Sequence, residues 1–501
     1  MKLLSYHENG IYIVWGVDEK QELRLLHMSS LPFQKEDIKV ESMDYGFRFV
    51  ELQLSGFDRP YERHGNKYIV TAPGYRMKYV SHSESRNENG LQLLFVLRDD
   101  LTDVYVDAYV QFYDELPVMR MWQVIRNEGT DTQTVEYISG FHYEGIEKEG
   151  LVPRDEKMRV WIPHNSWQRE LNWKCYTLPE LGMDQVQPER IQRSSGMIRV
   201  SNTGNWSAKE YLPMGYLENT CVGTGLFWQI EHNGSWHWEI GDQNGHLYLA
   251  VSGPNEIYSH WFKYLAPGEA FTSVPVAVGV TGAPQGTCGG LNQAMDALTA
   301  YRRQIRRKNE DNQKLPVIFN DYMNCLWGHP TEEEEYPLID AAAKAGCEYF
   351  CIDAGWYADG DWWDSVGEWK ESRKRFPGGV RKVTDYIRRK GMIPGVWLEM
   401  EVMGIYCDLA KQVSDDWFFV RHGKRVYDRS RYQLDYRNSK VREYADSVID
   451  RIVKEYGVGY IKMDYNIEPG IGTEIDTESM GQGMLEHERA YLKWLEGVWA
   501  R

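Results

Sequence analysis

Up to about residue 290 the apolar and polar positions alternate with a period of two. From Val104 to Phe112, Val104, Val106, Ala108, Val110 and Phe112 share one face while Tyr105, Asp107, Tyr109 and Gln111 share the other, the pattern of a half-buried antiparallel strand. Trp236–Ile240 and His246–Val251 flank Gly241-Asp242-Gln243-Asn244-Gly245, whose Asn-Gly reaches positive φ at little cost, so this segment predicts a hairpin. Many such strands separated by Gly, Asn and Pro predict a large β-sandwich over 1–290, with no tandem repeat. From Leu291 to Asn312 the chain turns helical and basic, with Tyr301-Arg302-Arg303-Gln304-Ile305-Arg306-Arg307-Lys308 reading as a solvated helix face before Pro316. Residues 291–315 are therefore expected to be a helical linker.

After Pro316 the period changes. Short apolar strands are predicted at Val317–Asn324, Tyr349–Gly355, Ile393–Met400 and Tyr460–Asn466. Between them lie helices: Leu338–Lys344 ending at Gly346, Val380–Arg389 ending at Gly391, and Val441–Glu455 ending at Gly457. Repeated β/α units imply a parallel sheet, most often closed as a barrel. A full (β/α)8 domain takes roughly 250 residues, so residues 316–501 are expected to hold about the first half of one.

A parallel strand covered on both faces should read as a nearly continuous apolar run. Three of these strands break that rule in phase. Lys462, Asp464 and Asn466 share one face of the last strand, Trp397, Glu399 and Glu401 share one face of the third, and Asp353 lies at the end of the second. Burying charge costs several kcal/mol unless it is paired or used. An internal ion pair, Lys462 with Asp464 or Glu399, would account for any one of these residues. Three strands polar together suit the wet carboxyl-terminal mouth of the sheet, where barrel active sites lie.

Convergent carboxylates beside tryptophans suit glycosidic cleavage, in which one carboxylate captures an oxocarbenium-like centre while a protonated one assists the leaving group. Lys462 would keep a carboxylate at Asp464 ionised, and Trp397 and Trp356 would form an apolar wall under a sugar. Spacing alone does not choose among Asp353, Glu399, Glu401 and Asp464. It is also compatible with a magnesium-assisted proton abstraction.

Composition narrows the partners. Nineteen Trp and 33 Tyr exceed ordinary core needs, and sugar stacking is one use for the excess. A formal charge of −17 argues against a nucleic-acid partner and fits a neutral substrate. The first residues meet charge before any apolar core builds up, so no secretory signal or membrane span is expected, and the cytoplasm is the default location. Seven Cys without paired spacing read as reduced thiols, neither a disulfide frame nor a zinc site.

Tyr349-Phe350-Cys351-Ile352-Asp353-Ala354-Gly355-Trp356-Tyr357, with Gly367-Glu368-Trp369 and Arg375-Phe376-Pro377-Gly378-Gly379, resembles the second-strand signature of glycoside hydrolase family 36. Gly395-Val396-Trp397-Leu398-Glu399 and Tyr460-Ile461-Lys462-Met463-Asp464-Tyr465-Asn466 are similar to its third and fourth strands, and Ser235-Trp236-His237-Trp238-Glu239 and Leu265-Ala266-Pro267-Gly268-Glu269 extend the resemblance into the first half. The resemblance implies an N-terminal β-supersandwich followed by a (β/α)8 TIM-type barrel, and retaining cleavage of terminal α-galactosides without cofactor or metal.

It implies Asp464 as nucleophile, Lys462 and Trp397 as sugar contacts, and a sugar-binding arginine that is Arg429 or, preferably, Arg431. Asp353, Trp356 and Asn466 complete the expected substrate-binding set. Two departures stand out. Many members carry Asp-Asp where this chain has Asp353-Ala354, which opens an α-N-acetylgalactosaminidase or galactosaminidase alternative. The family's acid/base Asp comes from a later strand, past residue 501, so these residues are expected to lack it and to act as a weak catalyst or a sugar-binding fragment. Homo-oligomers are common in the family.

Overall fold

A computed structural model describes residues 1–34, 46–57, 67–184, 196–243, 245–282 and 290–501. The chain forms two compact units: Met1–Arg306 with Glu478–Gln482, and Arg307–Thr477 with Gly483–Arg501.

The first unit is built from antiparallel strands. Val104–Tyr113 pairs with Gly90–Asp99 on one side and Leu116–Asn127 on the other, inside a sheet of ten strands among the described residues. Its five inward residues, Val104, Val106, Ala108, Val110 and Phe112, have no solvent exposure, as the alternation predicts. Gln111, on the opposite face, is also buried, and its amide donates to the Leu91 and Phe112 carbonyls. The predicted hairpin forms from Trp236–Gln243 and His246–Ser252, with Gln243 opposite His246 and Gly245 at φ 85°. Asn244 lies outside the described residues. Trp238 of this hairpin meets Trp228 of the large sheet edge-on, ring centroids 5.2 Å apart, so apolar faces of two sheets pack together there.

The expected linker is divided between the units. Gly290–Ile305 is a helix whose Ala294, Ala297, Leu298 and Tyr301 pack with Tyr113, Val118, Tyr216 and Phe227 of the first unit. A stripe of small and apolar residues at helical spacing thus makes it part of that core. The basic run from Arg302 onward is solvated, as expected, and Asp311–Lys314 is a short turn of the second unit.

In the second unit, strands β1 (Ile318–Asn320), β2 (Tyr349–Ile352), β3 (Ile393–Leu398) and β4 (Tyr460–Met463) form a parallel sheet in the order β1-β2-β3-β4. In register, Asn320, Cys351, Gly395 and Tyr460 lie side by side, and Trp397 pairs with Lys462. Gly395 is a close-approach position: a Cβ there would sit 2.5 Å from Cδ1 of Tyr460. Every strand ends earlier than its apolar run suggested, because polar residues leave the ladder to make side-chain hydrogen bonds. At β1, Asn320 Oδ1 accepts from the Tyr322 N–H and turns the chain.

Helices α1 (Glu332–Ala345), α2 (Val380–Arg389) and α3 (Ser439–Asp450) cover this sheet, contributing Ile339, Ala342, Val383, Ile387, Val441, Ala445 and Val448 to one apolar core. The first starts six residues earlier than its apolar pattern indicated and contains Pro337. Thr331 caps it by accepting from the Glu334 N–H, and four glutamates in the first turn favour the positive end of its dipole. Gly346, at φ 87°, ends it as predicted. A helix at Met480–Ala500 was not anticipated. No helix among the described residues is long and apolar enough to cross a membrane.

Candidate active site

The carboxyl ends of β2, β3 and β4 bring together Asp353, Trp397, Glu399, Lys462 and Asp464. Asp464 follows β4 and its backbone N–H donates to the Leu398 carbonyl, which holds it beside β3. Its side chain is about one-third exposed. Oδ2 accepts from the Trp397 indole N–H at 2.9 Å, and Oδ1 accepts from the Tyr465 N–H at 2.9 Å.

Lys462 links two carboxylates from non-neighbouring strands. Its Nζ lies 2.7 Å from Asp353 Oδ2 and 3.9 Å from Asp464 Oδ2. Burial works against its charge, but the hydrogen bond and attraction from Asp353, with Asp464 adding to them, raise its pKa above the usual lysine value. Asp353 is thus its closer partner, where the sequence suggested Asp464. Asp353 is 3% exposed and fully engaged: Oδ2 also accepts from Asn320 Nδ2 at 2.6 Å, Oδ1 accepts from the Ala354 N–H, and its own N–H donates to Asp321 Oδ1.

Glu399 is completely buried and lies 2.6 Å from Arg431 Nε, itself completely buried. Burial pushes Glu399 up to about 7 against the pull of Arg431, and burial likewise lowers the arginine, so desolvation outweighs the attraction within this pair. Such a value would suit a general acid. The geometry does not, because Oε1 receives the Asn466 N–H at 2.8 Å and Oε2 faces Arg431. Asn466 is therefore turned to Glu399, with its amide 3.4 Å away.

Arg431 also lies over the Trp363 ring at 3.8 Å, and its Nη2 has no hydrogen-bond acceptor among the described residues. Arg429, the alternative arginine, is exposed. Glu401 points elsewhere, 3.4 Å from His487, because β3 ends at Leu398 and its alternation goes no further.

The expected apolar wall is corrected. Trp356 and Trp397 are 0% and 1% exposed, and their rings pack among Tyr357, Trp362 and Trp369. Trp356 donates its indole N–H to the Trp397 carbonyl, so it braces β3 from within the core. Trp397 offers an N–H edge to Asp464 and no open face. Aromatic content predicted the residues but not which surface they present.

Asn320 and Asp321 were missed as site residues. Polar residues breaking into an apolar run, the signal read at the other three strands, also occur in Val317-Ile318-Phe319-Asn320-Asp321. Among the described residues no group of three or more His, Cys, Asp or Glu is arranged to hold a metal ion.

Comparison with known proteins gives concordant results. Residues 273–494 match the Melibiase family model. The α-galactosidase Mel36A of Lactobacillus acidophilus is 23% identical over 419 residues, 82% of this chain and 53% of that protein. α-Galactosidase 1 of Pediococcus pentosaceus is 23% identical over 75% of this chain and 48% of its own length. The chain thus spans about half the length of these curated relatives. The crystal structure of the family 36 α-galactosidase AgaA of Geobacillus stearothermophilus superposes with a TM-score of 0.79 over 99% of this chain and 70% of that one, at 16% identity, which establishes the multidomain β-rich fold. The chain is thus similar to the α-galactosidases of glycoside hydrolase family 36, and its residues 273–494 match the Melibiase family model.

Proposed function

We propose that this polypeptide supplies the nucleophile and sugar-gripping side of a retaining hydrolase that releases terminal α-linked galactose. In this reading the first unit is a β-supersandwich closed by the helix to Ile305, and the β1–β4 sheet is the first half of a (β/α)8 barrel. The observation that carries it is the Asp353–Lys462–Asp464 chain, with Asp464 open to solvent and oriented through both oxygens. Asp464 attacks the anomeric carbon. Asp353 and Lys462 grip ring hydroxyls, while Arg431, completely buried between Glu399 and the Trp363 ring, braces Glu399 from behind in place of the sugar contact expected of it.

Of the described carboxyls, neither Asp353 nor Glu399 is free to protonate a leaving group, since Asp353 is taken by Lys462 and Asn320, and Glu399 by Arg431 and Asn466. The acid/base is assigned to a carboxyl other than these two, about 5–5.5 Å from the nucleophile as retention requires. No cofactor enters the scheme. The relatives' complexes favour galactosides, because AgaA variants were crystallised with raffinose and stachyose.

The test is Asp464→Gly assayed on α-galactosyl fluoride, whose leaving group needs little protonation. Lost turnover recovered by azide, with β-galactosyl azide as product, is the expected result. Full turnover of the variant without azide, or none by the parent chain on this substrate, overturns the assignment. A second reading, a 2-acetamido or 2-amino galactoside, is favoured by Ala354, where many family members place a second carboxylate. A higher kcat/KM on the 2-acetamido analogue of an aryl galactoside than on the galactoside itself would establish it.

A further inference from the structure

The segment at 235–239, part of the sequence resemblance, has no role in the scheme above. It lies in the first unit, where Met197–Asn202 pairs antiparallel with Trp236–Gln243 and sets Ser201 opposite His237 and Arg199 opposite Glu239. Alternation puts all four side chains on one face of the sheet. Ser201 Oγ lies 2.6 Å from His237 Nδ1, and His237 Nε2 lies 2.9 Å from Glu239 Oε2.

The direction of each hydrogen bond follows from the acid outward. Glu239 is completely buried, and its Oε1 accepts the Tyr68 N–H at 2.7 Å and the Tyr248 hydroxyl at 2.8 Å. Its Oε2 takes the imidazole N–H at Nε2 as a third donor. A neutral ring then has only a lone pair at Nδ1, so the Ser201 hydroxyl turns its proton to the ring. The ring is held in that pose: it stacks on Tyr258 with centroids 4.6 Å apart and meets Tyr68 edge-on at 5.7 Å. A hydroxyl bound to a base that a third group orients is the arrangement of an activated nucleophile. A histidine that only filled the core would need no partner reaching solvent, yet Ser201 is partly exposed.

Arg199 adds a charge beside the hydroxyl. Although directly opposite Glu239, it is exposed and makes no ion pair among the described residues. Its guanidinium lies 4.8 Å from the centroid of the Tyr258 ring, the ring that stacks on His237.

We propose that Ser201, His237 and Glu239 form a second catalytic site, an acyl-transfer centre for esters of short acyl groups, with Arg199 receiving the oxyanion. The acyl group has to be slender, because the hydroxyl is only partly exposed and His237 is completely buried. Ser201 Oγ bonds to the ester carbonyl carbon as its proton passes to His237 Nδ1. The bond from that carbon to the alcohol oxygen breaks, and the alcohol leaves with the proton. Water repeats the sequence on acyl-Ser201 and releases the carboxylic acid. Glu239 stays ionised throughout and stabilises the imidazolium.

Three measurements on the whole chain test this. Methanesulfonyl fluoride, a small serine reagent, should modify Ser201 roughly 100-fold faster than any other serine, the scale of general-base assistance, read by peptide mass spectrometry. Modification no faster than at the other serines overturns the proposal, and the parent chain alone decides it. His237→Gln should slow that modification by about 100-fold, with its Tm recorded alongside; a folded variant that reacts at the parent's rate removes the base. Hydrolysis of p-nitrophenyl acetate should be lost in Ser201→Ala and fall roughly 100-fold in Arg199→Gln, an exposed position whose change leaves the Ser201–His237 contact in place. An unchanged rate in Ser201→Ala overturns the acyl-transfer step, and an unchanged rate in Arg199→Gln overturns the oxyanion role.

Discussion

The Trp397 indole N–H donates to Asp464 Oδ2 at 2.9 Å, tying the residue that follows β4 to the side chain of β3. One hydrogen bond thus aims the proposed nucleophile, and the ring that supplies it is itself locked among Tyr357, Trp362 and Trp369. Trp397→Phe keeps most of that packing and deletes the donor. A hydrogen bond to a charged group contributes about 1.5–3 kcal/mol, so kcat/KM on α-galactosyl fluoride should fall roughly 10- to 100-fold. The unfolding transition should move much less than for Trp397→Ala, where a cavity adds to the loss.

The Glu399–Arg431 pair should behave as a buried ion pair. Well above pH 7, where Glu399 carries its charge, Glu399→Gln leaves the guanidinium uncompensated and is expected to cost about 3–5 kcal/mol in denaturant unfolding. Arg431→Met combined with Glu399→Gln removes the charge as well and should cost clearly less than the sum of the two single changes. Additive effects would show that the two side chains do not interact.

The first unit carries its own pH dependence. Glu144 is fully buried; its Oε2 accepts the Phe47 N–H, Oε1 has no donor among the described residues, and burial pushes its pKa from an ordinary 4.5 to about 7. A raised carboxyl pKa means that the folded state holds the proton more tightly. Its stabilising contribution is complete below about pH 4.5 and is lost as the pH rises through about 7. Glu144→Gln keeps an acceptor for Phe47 and cannot ionise. Relative to the parent it should gain roughly 3 kcal/mol between pH 4.5 and 8.5, read as a Tm difference that widens with pH.

Gly355 ends the loop that presents Asp353. Its φ is 106°, and a Cβ there would lie 2.2 Å from the Gly328 carbonyl oxygen. Both atoms belong to backbone, so the clash cannot be relieved by rotating a side chain. Gly355→Ala is expected to destabilise the second unit by about 2 kcal/mol or more, shown by a fall in Tm that Gly360→Ala, at a position with open space around it, does not reproduce.

Periodicity revealed more of the strands than of the site. Val104–Phe112 alternates because one face of it is wet, and α2 ends where Gly391 permits a left-handed turn, both local effects that a sequence displays directly. The polar ends of β2, β3 and β4 were legible for the same reason, since charge in a covered strand demands a use. What remained hidden depends on distance in space. Nothing near Lys462 in sequence shows that Asp353, 109 positions away, is its closer partner. The folding of Trp356 into the core could not be seen because an indole beside a carboxylate reads alike whether it offers its face or its edge. Thr331 and Glu334 form a helix start that was readable, but Pro337 obscured it.

The spacing of the strands beneath Asp353 and Asp464 involves a residue that touches neither carboxylate. Gly395 leaves its place to the Tyr460 ring at the register position where β2, β3 and β4 lie side by side. A single methyl at position 395 would press on that ring and strain the sheet beneath Asp353 and Asp464 while every polar side chain at its mouth stayed chemically intact. The geometry at the mouth of the sheet can therefore be altered from a position that no list of its polar residues includes.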